Sequence, residues 1–156
     1  VPANLMIVGE APSAEDDRQG IPFVGRVGQL LDAMLLSIGF RREDVYVANA
    51  LKCRPPDDRD PFAEELTHCN PFLLQQIERI QPKVILALGK AAVQSLLDTN
   101  ESLDQLRNTG PAREVAGVSV IATYHPAYLL QSPGAKSESW KDLYRARQLL
   151  INGSSS

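Results

Sequence analysis

Four short apolar runs divide the chain, and no charged residue interrupts any of them. The runs are Leu5–Val8, Val45–Ala48, Val84–Leu88 and Val118–Ala122. Each is rich in Val, Ile, Leu or Ala, which is the pattern of parallel strands covered on both faces. We therefore predict four buried strands that belong to one mainly parallel sheet.

Helical spacing of apolar residues fills the intervals between these strands and the end of the chain. The predicted helices are marked by Leu30, Leu31, Met34, Leu35 and Ile38, with Gly39 as a stop; by Leu66, Leu73, Ile77 and Ile80, ending before Pro82; by Ala91–Leu97; and by Trp140, Leu143, Tyr144, Arg147 and Leu150. Strands that alternate with helices predict an α/β sandwich. The two least regular stretches, Pro55–Pro61 and Leu103–Arg113, are predicted to be surface loops.

The unusual polar segments of the chain follow the predicted strands directly. They are Gly9-Glu10-Ala11-Pro12, Asn49, Gly89-Lys90 and Thr123-Tyr124-His125-Pro126. Loops at the carboxyl ends of parallel strands share one edge of the sheet, and ligands bind there. Four segments that are far apart in sequence are therefore expected to converge on one cleft.

Composition limits the classes of protein to which the chain can belong. With 156 residues, 44% of them hydrophobic and 22% charged, it has the size and balance of one globular domain. We expect this domain to cover residues 1–151, with residues 152–156 as a flexible tail. No apolar run approaches the ~18 residues of a membrane span and no signal peptide is recognisable, so we expect an intracellular, cytoplasmic protein.

Charge gives no support to nucleic-acid binding, because a formal net charge of −3 lacks the basic balance of most such proteins. Any binding of DNA has to come from the local placement of basic side chains. The chain begins with Val1 rather than Met and runs almost at once into an apolar strand. We expect it to be a fragment of a longer protein.

Glu10 and Phe23 each allow a structural and a functional interpretation. Glu10, in the turn closed by Pro12, can cap the following segment, or it can position a water molecule or stabilise positive charge. Phe23, beside Pro22 in a glycine-bounded loop, can anchor the core, stack on a ligand, or do both. Position alone favours the structural role for each of them.

Asn49 and His125 lie at the carboxyl ends of two predicted strands. A buried amide must be hydrogen-bonded, so Asn49 is either a structural fastener or a ligand reader, and its position leaves both open. His125, one of only two histidines in the chain, lies where catalytic residues gather. A structural role for His125 also remains open.

Two further patterns bear on cofactors. The segment Gly25-Arg26-Val27-Gly28 opens a predicted helix, where anions are favoured, but it departs from the G-x-G-x-x-G pattern and argues against a Rossmann cofactor site. Cys53 and Cys69 are not expected to form a stable disulfide in an intracellular protein. As a bare pair they are best explained as idle thiols.

Six motifs are linked in order along nearly the whole chain. They are Gly9-Glu10-Ala11-Pro12, Gly20-x-Pro22-Phe23-Val24-Gly25-x-x-Gly28-x-Leu30-Leu31, Asn49-x-x-Lys52-Cys53-Arg54-Pro55-Pro56, Cys69-x-Pro71-Phe72-Leu73, Ala87-Leu88-Gly89 and Thr123-Tyr124-His125-Pro126-Ala127-Tyr128-Leu129-Leu130. In this combination, which extends from Leu5 to about Leu150, the chain resembles the family 4, iron–sulfur type uracil-DNA glycosylases.

The resemblance implies a three-layer α/β fold with a central four-stranded, mainly parallel sheet between helices. It also implies that the substrate is uracil in DNA. By position, the residues that match the pocket of that family are Glu10, Phe23, Asn49 and His125, with Gly9 and Ala11 beside them.

A [4Fe-4S] cluster is implied as well, with Cys53 and Cys69 matching two of its four cysteine ligands. The other two ligands lie before the first strand in that family, and two cysteines cannot complete the cluster. We therefore expect the cluster to be absent or incomplete in this chain, and no catalytic metal to be required. Two further departures are Ser13, where the family usually has glycine, and Gln131, where it often has arginine.

The mechanism that the resemblance implies begins with uracil flipped out of a duplex or taken from a single strand. Asn49 would accept from N3–H and donate to O4, a pattern that cytosine reverses, and Phe23 would stack on the base. His125 would donate to O2 as negative charge develops there. Glu10 would hold the water or oppose the cationic sugar.

Contacts with DNA are expected from basic residues near the cleft and from the segment after His125. The basic residues expected to meet phosphates are Arg26, Lys52, Arg54, Lys90 and Lys136. Tyr128 and Leu129, with Ala127, are expected to wedge into the vacated base stack, although a solvated rim and a helix start explain the same residues.

The expected partner is therefore uracil-containing DNA, single- or double-stranded, bound by a monomer that has no contact with a membrane. Two other functions remain open from the sequence. One is a hydrolase that acts on free nucleosides through the same cleft, and the other is a non-enzymatic or impaired DNA-binding relic of the same fold.

Overall fold

A computed structural model describes residues 4–9, 25–49, 73–97, 102–108 and 113–152 of the chain. Their strands form one sheet in the order β2-β1-β3-β5-β4. The strands are β1 (Leu5–Gly9), β2 (Tyr46–Asn49), β3 (Val84–Leu88), β4 (Arg113–Val115) and β5 (Val118–Thr123). All neighbours are parallel except β4, which pairs antiparallel with β5. The predicted α/β class and the four predicted strands are confirmed.

Six α-helices accompany the sheet within the described ranges. They are α1 (Gly25–Leu36), α2 (73–80), α3 (Lys90–Leu97), α4 (Leu103–Asn108), α5 (Pro126–Gln131) and α6 (Lys136–Asn152), with short 3-10 turns at Arg42–Asp44 and Pro133–Ala135. Gly39 has a φ of 86°, a left-handed conformation that suits glycine, in the turn that follows α1. This confirms Gly39 as the stop of that helix.

The two faces of the sheet bury alternate residues of the same strands. Leu5 and Ile7 of β1 pack on one face, with α1 and α6, whereas Met6 and Val8 pack on the other face, with α2, α3 and α4. Every residue of β1 and of β3 is buried. Full burial on both faces explains why these strands are uninterrupted apolar runs, and it confirms the three-layer arrangement.

The sheet has five strands rather than the expected four. β4 and β5 form a hairpin in which Val115 pairs with Val118, so Ala116 and Gly117 are its two-residue loop. Both loop residues have positive φ, 50° and 80°, which is the twist that tight hairpins favour. Alanine is unusual in that conformation, and the sequence therefore carried no strong hairpin signal here.

The prediction that Leu103–Arg113 is a loop is also wrong, because α4 occupies Leu103–Asn108. Ser102 Oγ accepts from the backbone N–H of Gln105 at 3.2 Å, and the Gln105 side chain accepts from the backbone N–H of Ser102 at 2.9 Å. This reciprocal pair is a capping box, a helix-start signal that is visible in the sequence.

The carboxyl-terminal helix continues through Asn152, one residue into the tail that the sequence predicts. Residues 153–156 and the predicted loop Pro55–Pro61 lie outside the described residues. In the part of the chain that the structure describes, no helix combines the length and apolar character that crossing a membrane requires.

Candidate active site

The carboxyl ends of β1, β2, β3 and β5 lie along one edge of the sheet, as the sequence predicts. Gly9, the last residue of β1, is in register with Asn49 at the end of β2. Farther along the edge, the backbone N–H of Gly89 donates to the carbonyl of Thr123 at 2.9 Å. Gly89 has a φ of 94°, so the turn from β3 into α3 suits a residue without a side chain.

His125 lies at this edge, two residues beyond the end of β5 and immediately before α5. Its backbone is extended, with φ −68° and ψ 142°, as expected for a residue before proline. Its carbonyl accepts from the N–H groups of Tyr128 and Leu129 at 3.0 and 3.2 Å, which attaches the residue to the first turn of α5.

The ring of His125 also serves as the cap of α5. Its Nδ1 accepts a hydrogen bond from the backbone N–H of Ala127 at 3.0 Å. An imidazole nitrogen that accepts carries no proton, so a neutral His125 in this geometry is protonated at Nε2. The helix cap therefore selects the tautomer in which Nε2 is a donor.

Two tyrosines flank His125 along the chain and contact each other. The rings of Tyr124 and Tyr128 stack with centroids 5.0 Å apart and an interplanar angle of 24°. Tyr128 is 47% exposed, so part of its ring faces solvent close to His125.

The expectation that Leu129 wedges into DNA is wrong, because its side chain is 0% exposed. Leu129 packs in the core on the α1 and α6 side of the sheet, where its burial stabilises the first turn of α5. The neighbouring Tyr128 has the exposed surface that Leu129 lacks.

A buried network of polar side chains connects Thr123, two residues before His125, with residues of α4 and α6. The Arg107 and Asp142 side chains are 5% and 7% exposed, and Arg107 Nε donates to Asp142 Oδ2 at 2.7 Å. Thr123, which is 0% exposed, donates from Oγ1 to the same carboxylate oxygen at 2.7 Å. Ser139 Oγ lies 2.7 Å from Thr123 Oγ1. Because the Thr123 proton points to the carboxylate, Ser139 must be the donor in that contact.

The guanidinium of Arg107 makes further contacts around Tyr124. Its Nη1 donates to the Tyr124 hydroxyl at 3.2 Å, and its Nη2 donates to the carbonyl of Glu138 at 3.2 Å. The carbon at its centre lies 4.5 Å from the centroid of the Tyr124 ring, a cation–π contact. One cation therefore links α6 to the residue that precedes His125.

Burial and the charge of Arg107 shift the pKa values of Asp142 and Tyr124 in opposite directions. Burial raises the pKa of Asp142 above its ordinary value, while the hydrogen bonds from Arg107 and Thr123 oppose that rise. Burial likewise raises the pKa of Tyr124, against the nearby positive charge of Arg107. Tyr124 is therefore a neutral phenol near pH 7.

Several predicted site residues fall outside the described part of the chain. They are Glu10, Ala11, Phe23, Lys52, Cys53, Arg54 and Cys69. Asn49 is described for its backbone alone, at the end of β2. Among the described residues, no group of three or more His, Cys, Asp or Glu side chains is arranged to hold a metal ion.

Three of the basic residues expected to meet DNA are described and exposed. Arg26 lies in the first turn of α1, Lys90 is the first residue of α3, and Lys136 is the first residue of α6. Lys90 directly follows Gly89, whose backbone is bonded to Thr123, so its α-carbon lies at the same edge of the sheet as His125.

The sequence did not identify Arg107, Asp142 or Thr123 as partners. The sequence pattern predicts a loop at Arg107, and Asp142 lies on a predicted helix that is marked by its apolar positions. The capping box at Ser102 and Gln105 would have placed Arg107 on a helix. No local signal pairs it with a residue 35 positions away in α6.

The sequence of the chain matches a family of known proteins over most of its length. Residues 2–146 match the family model of the uracil DNA glycosylase superfamily. The chain is 46% identical over 154 residues to the type-4 uracil-DNA glycosylase of Archaeoglobus fulgidus, covering 94% of this chain and 77% of the relative. It is 47% identical over 129 residues to the type-4 enzyme of Thermotoga maritima, covering 82% and 67% of the two chains. A type-5 uracil-DNA glycosylase of Pyrobaculum aerophilum is 33% identical over 147 residues, with 85% and 65% coverage. The extent of these matches establishes that the chain belongs to the uracil DNA glycosylase superfamily.

Proposed function

We propose that this chain is a DNA-repair glycosylase of the type-4 kind that hydrolyses the N-glycosidic bond of uracil in DNA. The observation that carries the proposal is the placement of His125 at the strand-end edge, with Nδ1 accepting from Ala127. The resulting Nε2 donor is the group that a departing uracil anion requires. Membership of the superfamily and higher identity to the type-4 relatives than to the type-5 relative support the same reaction.

The reaction breaks the bond between the sugar C1′ and uracil N1. Uracil N1 keeps the bonding electron pair, water supplies the oxygen that bonds to C1′, and a proton from that water balances the charge. Negative charge develops on uracil O2 as the bond breaks, so a donor at O2 is strongest in the transition state. His125 Nε2–H supplies this donor in the proposal.

The base would be read at the neighbouring strand end. Asn49 is in register with Gly9 there, and its amide would accept from uracil N3–H and donate to O4. Cytosine presents the reverse pattern at these positions, which would leave unpaired polar groups that cost about 1–3 kcal/mol each. In the same proposal Phe23 stacks on the base, Ala11 lies beside it, and Glu10 holds the attacking water or opposes the cationic sugar.

Binding of DNA would rest on local rather than total charge. Arg26 and Lys90 are exposed at the starts of α1 and α3, where they would meet phosphates. Tyr128, partly exposed beside His125, would occupy the stack vacated by the flipped base. We propose that the protein acts as a monomer on single- or double-stranded DNA, inside the cell at the nucleoid.

The type-4 resemblance connects Cys53 and Cys69 with an iron–sulfur cluster. Thiolates are the ordinary ligands of such a cluster, which would fasten together the two stretches of chain that carry these residues. Both cysteines lie outside the described residues, and no step of the proposed reaction passes through a cluster.

The decisive measurement is single-turnover excision from uracil-containing single-stranded and duplex DNA, with free deoxyuridine as a parallel substrate. His125→Ala should slow excision by a factor of about 10² to 10³, as for removal of one preorganised donor. Its affinity for DNA should change little, because phosphate contacts dominate affinity. Cleavage of deoxyuridine but not of DNA would favour a nucleoside hydrolase, and binding of DNA with no excision would favour a non-enzymatic relic.

A further inference from the structure

The polar network of Arg107, Asp142 and Thr123 holds the chain on both sides of His125. On the amino-terminal side, Thr123 is anchored by its hydroxyl to Asp142, and Tyr124 is contacted through its hydroxyl and its ring by Arg107. On the carboxyl-terminal side, Tyr128 stacks on Tyr124. The network therefore reaches residues two before, one before and three after His125.

We propose that the buried Arg107–Asp142 pair is a positioning device for His125, acting through Thr123 and Tyr124 to hold the imidazole in its excision geometry. The inference rests on the proposed glycosylase function and adds residues from α4 and α6 to it. Neither Arg107 nor Asp142 makes a described contact with His125 itself, so both are positioning residues rather than catalytic ones.

The composition of the network favours positioning over a purely structural role. Apolar side chains could fill the space between β5 and α6 without the desolvation that a buried ion pair requires. This pair instead distributes directional bonds: Asp142 Oδ2 accepts from both Arg107 and Thr123, and Arg107 donates to Tyr124 and to the Glu138 carbonyl. Directional bonds fix the orientation of the strand end, which apolar packing does less sharply.

The geometry of His125 makes orientation important. The Nδ1 contact with Ala127 sets the ring orientation and the tautomer together. In this proposal, the direction in which the backbone leaves β5 determines how well that contact forms. A displacement of about 1 Å at a reacting group can reduce a rate about 10²-fold. A strand end that is free to shift would therefore slow excision while leaving most phosphate contacts in place.

The test compares Thr123→Val with Thr123→Ser. Valine has nearly the shape of threonine but lacks the hydroxyl that donates to Asp142, whereas serine keeps it. Thr123→Val should slow single-turnover excision by about 10- to 100-fold with an unchanged dissociation constant for DNA, and Thr123→Ser should remain within about threefold of the parent. Melting temperatures of both variants establish that the measured molecules are folded.

Tyr46→Phe is the matched control for loss of a partly buried hydrogen bond. It removes the hydroxyl that accepts from Gln76 at 3.1 Å, at the opposite end of the parallel strands. Its excision rate should equal that of the parent. An equal loss of rate in Tyr46→Phe and Thr123→Val would mean general destabilisation and would overturn the proposal.

A second readout does not depend on activity. Nitrogen-15 NMR of the His125 ring, assigned by its disappearance in His125→Ala, should show one tautomer with an unprotonated Nδ1 in the parent. Thr123→Val should show a mixture of tautomers, and so should Arg107→Lys, which keeps a positive charge but lacks the planar fork of donors. A single parental tautomer and a parental rate in Thr123→Val would refute the positioning role.

The two readouts separate this inference from the proposed function. If the parent chain excises no uracil, the glycosylase assignment fails, yet the tautomer comparison still decides whether the network orients His125. If the parent is active and both Thr123→Val and Arg107→Lys retain the parental rate and tautomer, the inference fails and the glycosylase assignment stands.

Discussion

Two arginine–aspartate pairs of this protein have nearly the same nitrogen–oxygen distance but differ greatly in how far they are buried. Arg107 and Asp142 meet at 2.7 Å with side chains 5% and 7% exposed, next to the strand end that carries His125. Arg42 and Asp32 meet at 2.9 Å near α1, with side chains 29% and 51% exposed. The difference shows that burial, rather than bond length, decides what each pair does for the molecule.

Water explains why the two pairs differ. At the surface, water competes for both charges and screens them, so an exposed pair contributes about 0–1 kcal/mol. In the interior, each charge has lost its hydration and depends on its partner, so breaking a buried pair from one side costs about 3–5 kcal/mol. Substitutions in the Arg42 pair should therefore change stability little, whereas the Arg107 pair constrains the strand end beside it.

The largest effect is expected for Asp142→Asn. It removes the buried negative charge and leaves Arg107 with only the partly exposed Glu138 carboxylate, 3.6 Å from Nη2, so the free energy of unfolding should fall by about 3–5 kcal/mol. Urea unfolding of parent and variant at pH 7 measures the change. A loss of less than about 1 kcal/mol would place this pair in the same class as an exposed one.

A smaller change in stability is expected for the double variant Arg107→Met, Asp142→Leu. Apolar residues of similar volume often replace a buried ion pair with no loss of stability, or with a gain of about 1–4 kcal/mol. The double variant should therefore be more stable than Asp142→Asn and should still excise uracil slowly. Recovery of stability together with the parental rate would show that the pair does not position His125.

A still smaller effect is expected for Asp32→Asn, the matched substitution in the exposed pair. Arg42 keeps its 3.0 Å bond to the Gly28 carbonyl, so the free energy of unfolding should fall by about 0–1 kcal/mol. The difference should shrink further at high salt, which screens exposed charges. Urea midpoints at low and high salt measure both effects, and a loss comparable with that of Asp142→Asn would contradict the comparison.

The smallest effect concerns Glu138, whose half-exposed carboxylate flanks the buried network. Its hydrogen bond with Lys141 is the main reason that its pKa lies below the ordinary value of 4.5, and Arg107 contributes less. A lowered pKa means that its stabilising contribution is present above 4.5 and is lost as the pH falls through the folded value.

Glu138→Gln should therefore lower the urea midpoint slightly at pH 7, and this difference should shrink as the pH falls through the lowered pKa of Glu138. Glu114→Gln, at the exposed position of the edge strand β4, is the control for removal of one negative charge. A larger difference between parent and Glu138→Gln in acid than at pH 7 would reverse the expected sign.

Much of the central fold could be predicted from the sequence, and the strand that could not be predicted differs from the others in its burial and its pairing. β1 and β3 are buried on both faces, and this leaves an apolar run that local sequence reveals. β4 is a short edge strand with a half-buried, alternating pattern, and its hairpin uses Ala116 where a stronger signal would have Asn or Asp. Edge strands of this kind are defined by their pairing partner, and the sequence alone does not display that partner.

For the candidate site, too, the sequence predicted some features and not others. Position after a buried strand identified His125 and Asn49, because parallel topology brings strand ends to one edge. The same rule placed Tyr128 and Leu129 near the cleft but could not say which side chain turns outward. In the first turn of α5, Leu129 joins the core and Tyr128 remains partly exposed.

The α/β class, the strand-end location of the candidate chemistry and, through six ordered motifs, the family follow from the amino-acid sequence alone. These features depend on local hydrophobicity, on chain order and on residue identity at short spacing. Packing in three dimensions decides the fifth strand, the burial of Leu129 and the pairing of Arg107 with Asp142. Each of these depends on contacts between segments that packing brings together, and the 35 positions between Arg107 and Asp142 carry no periodicity that would announce their bond.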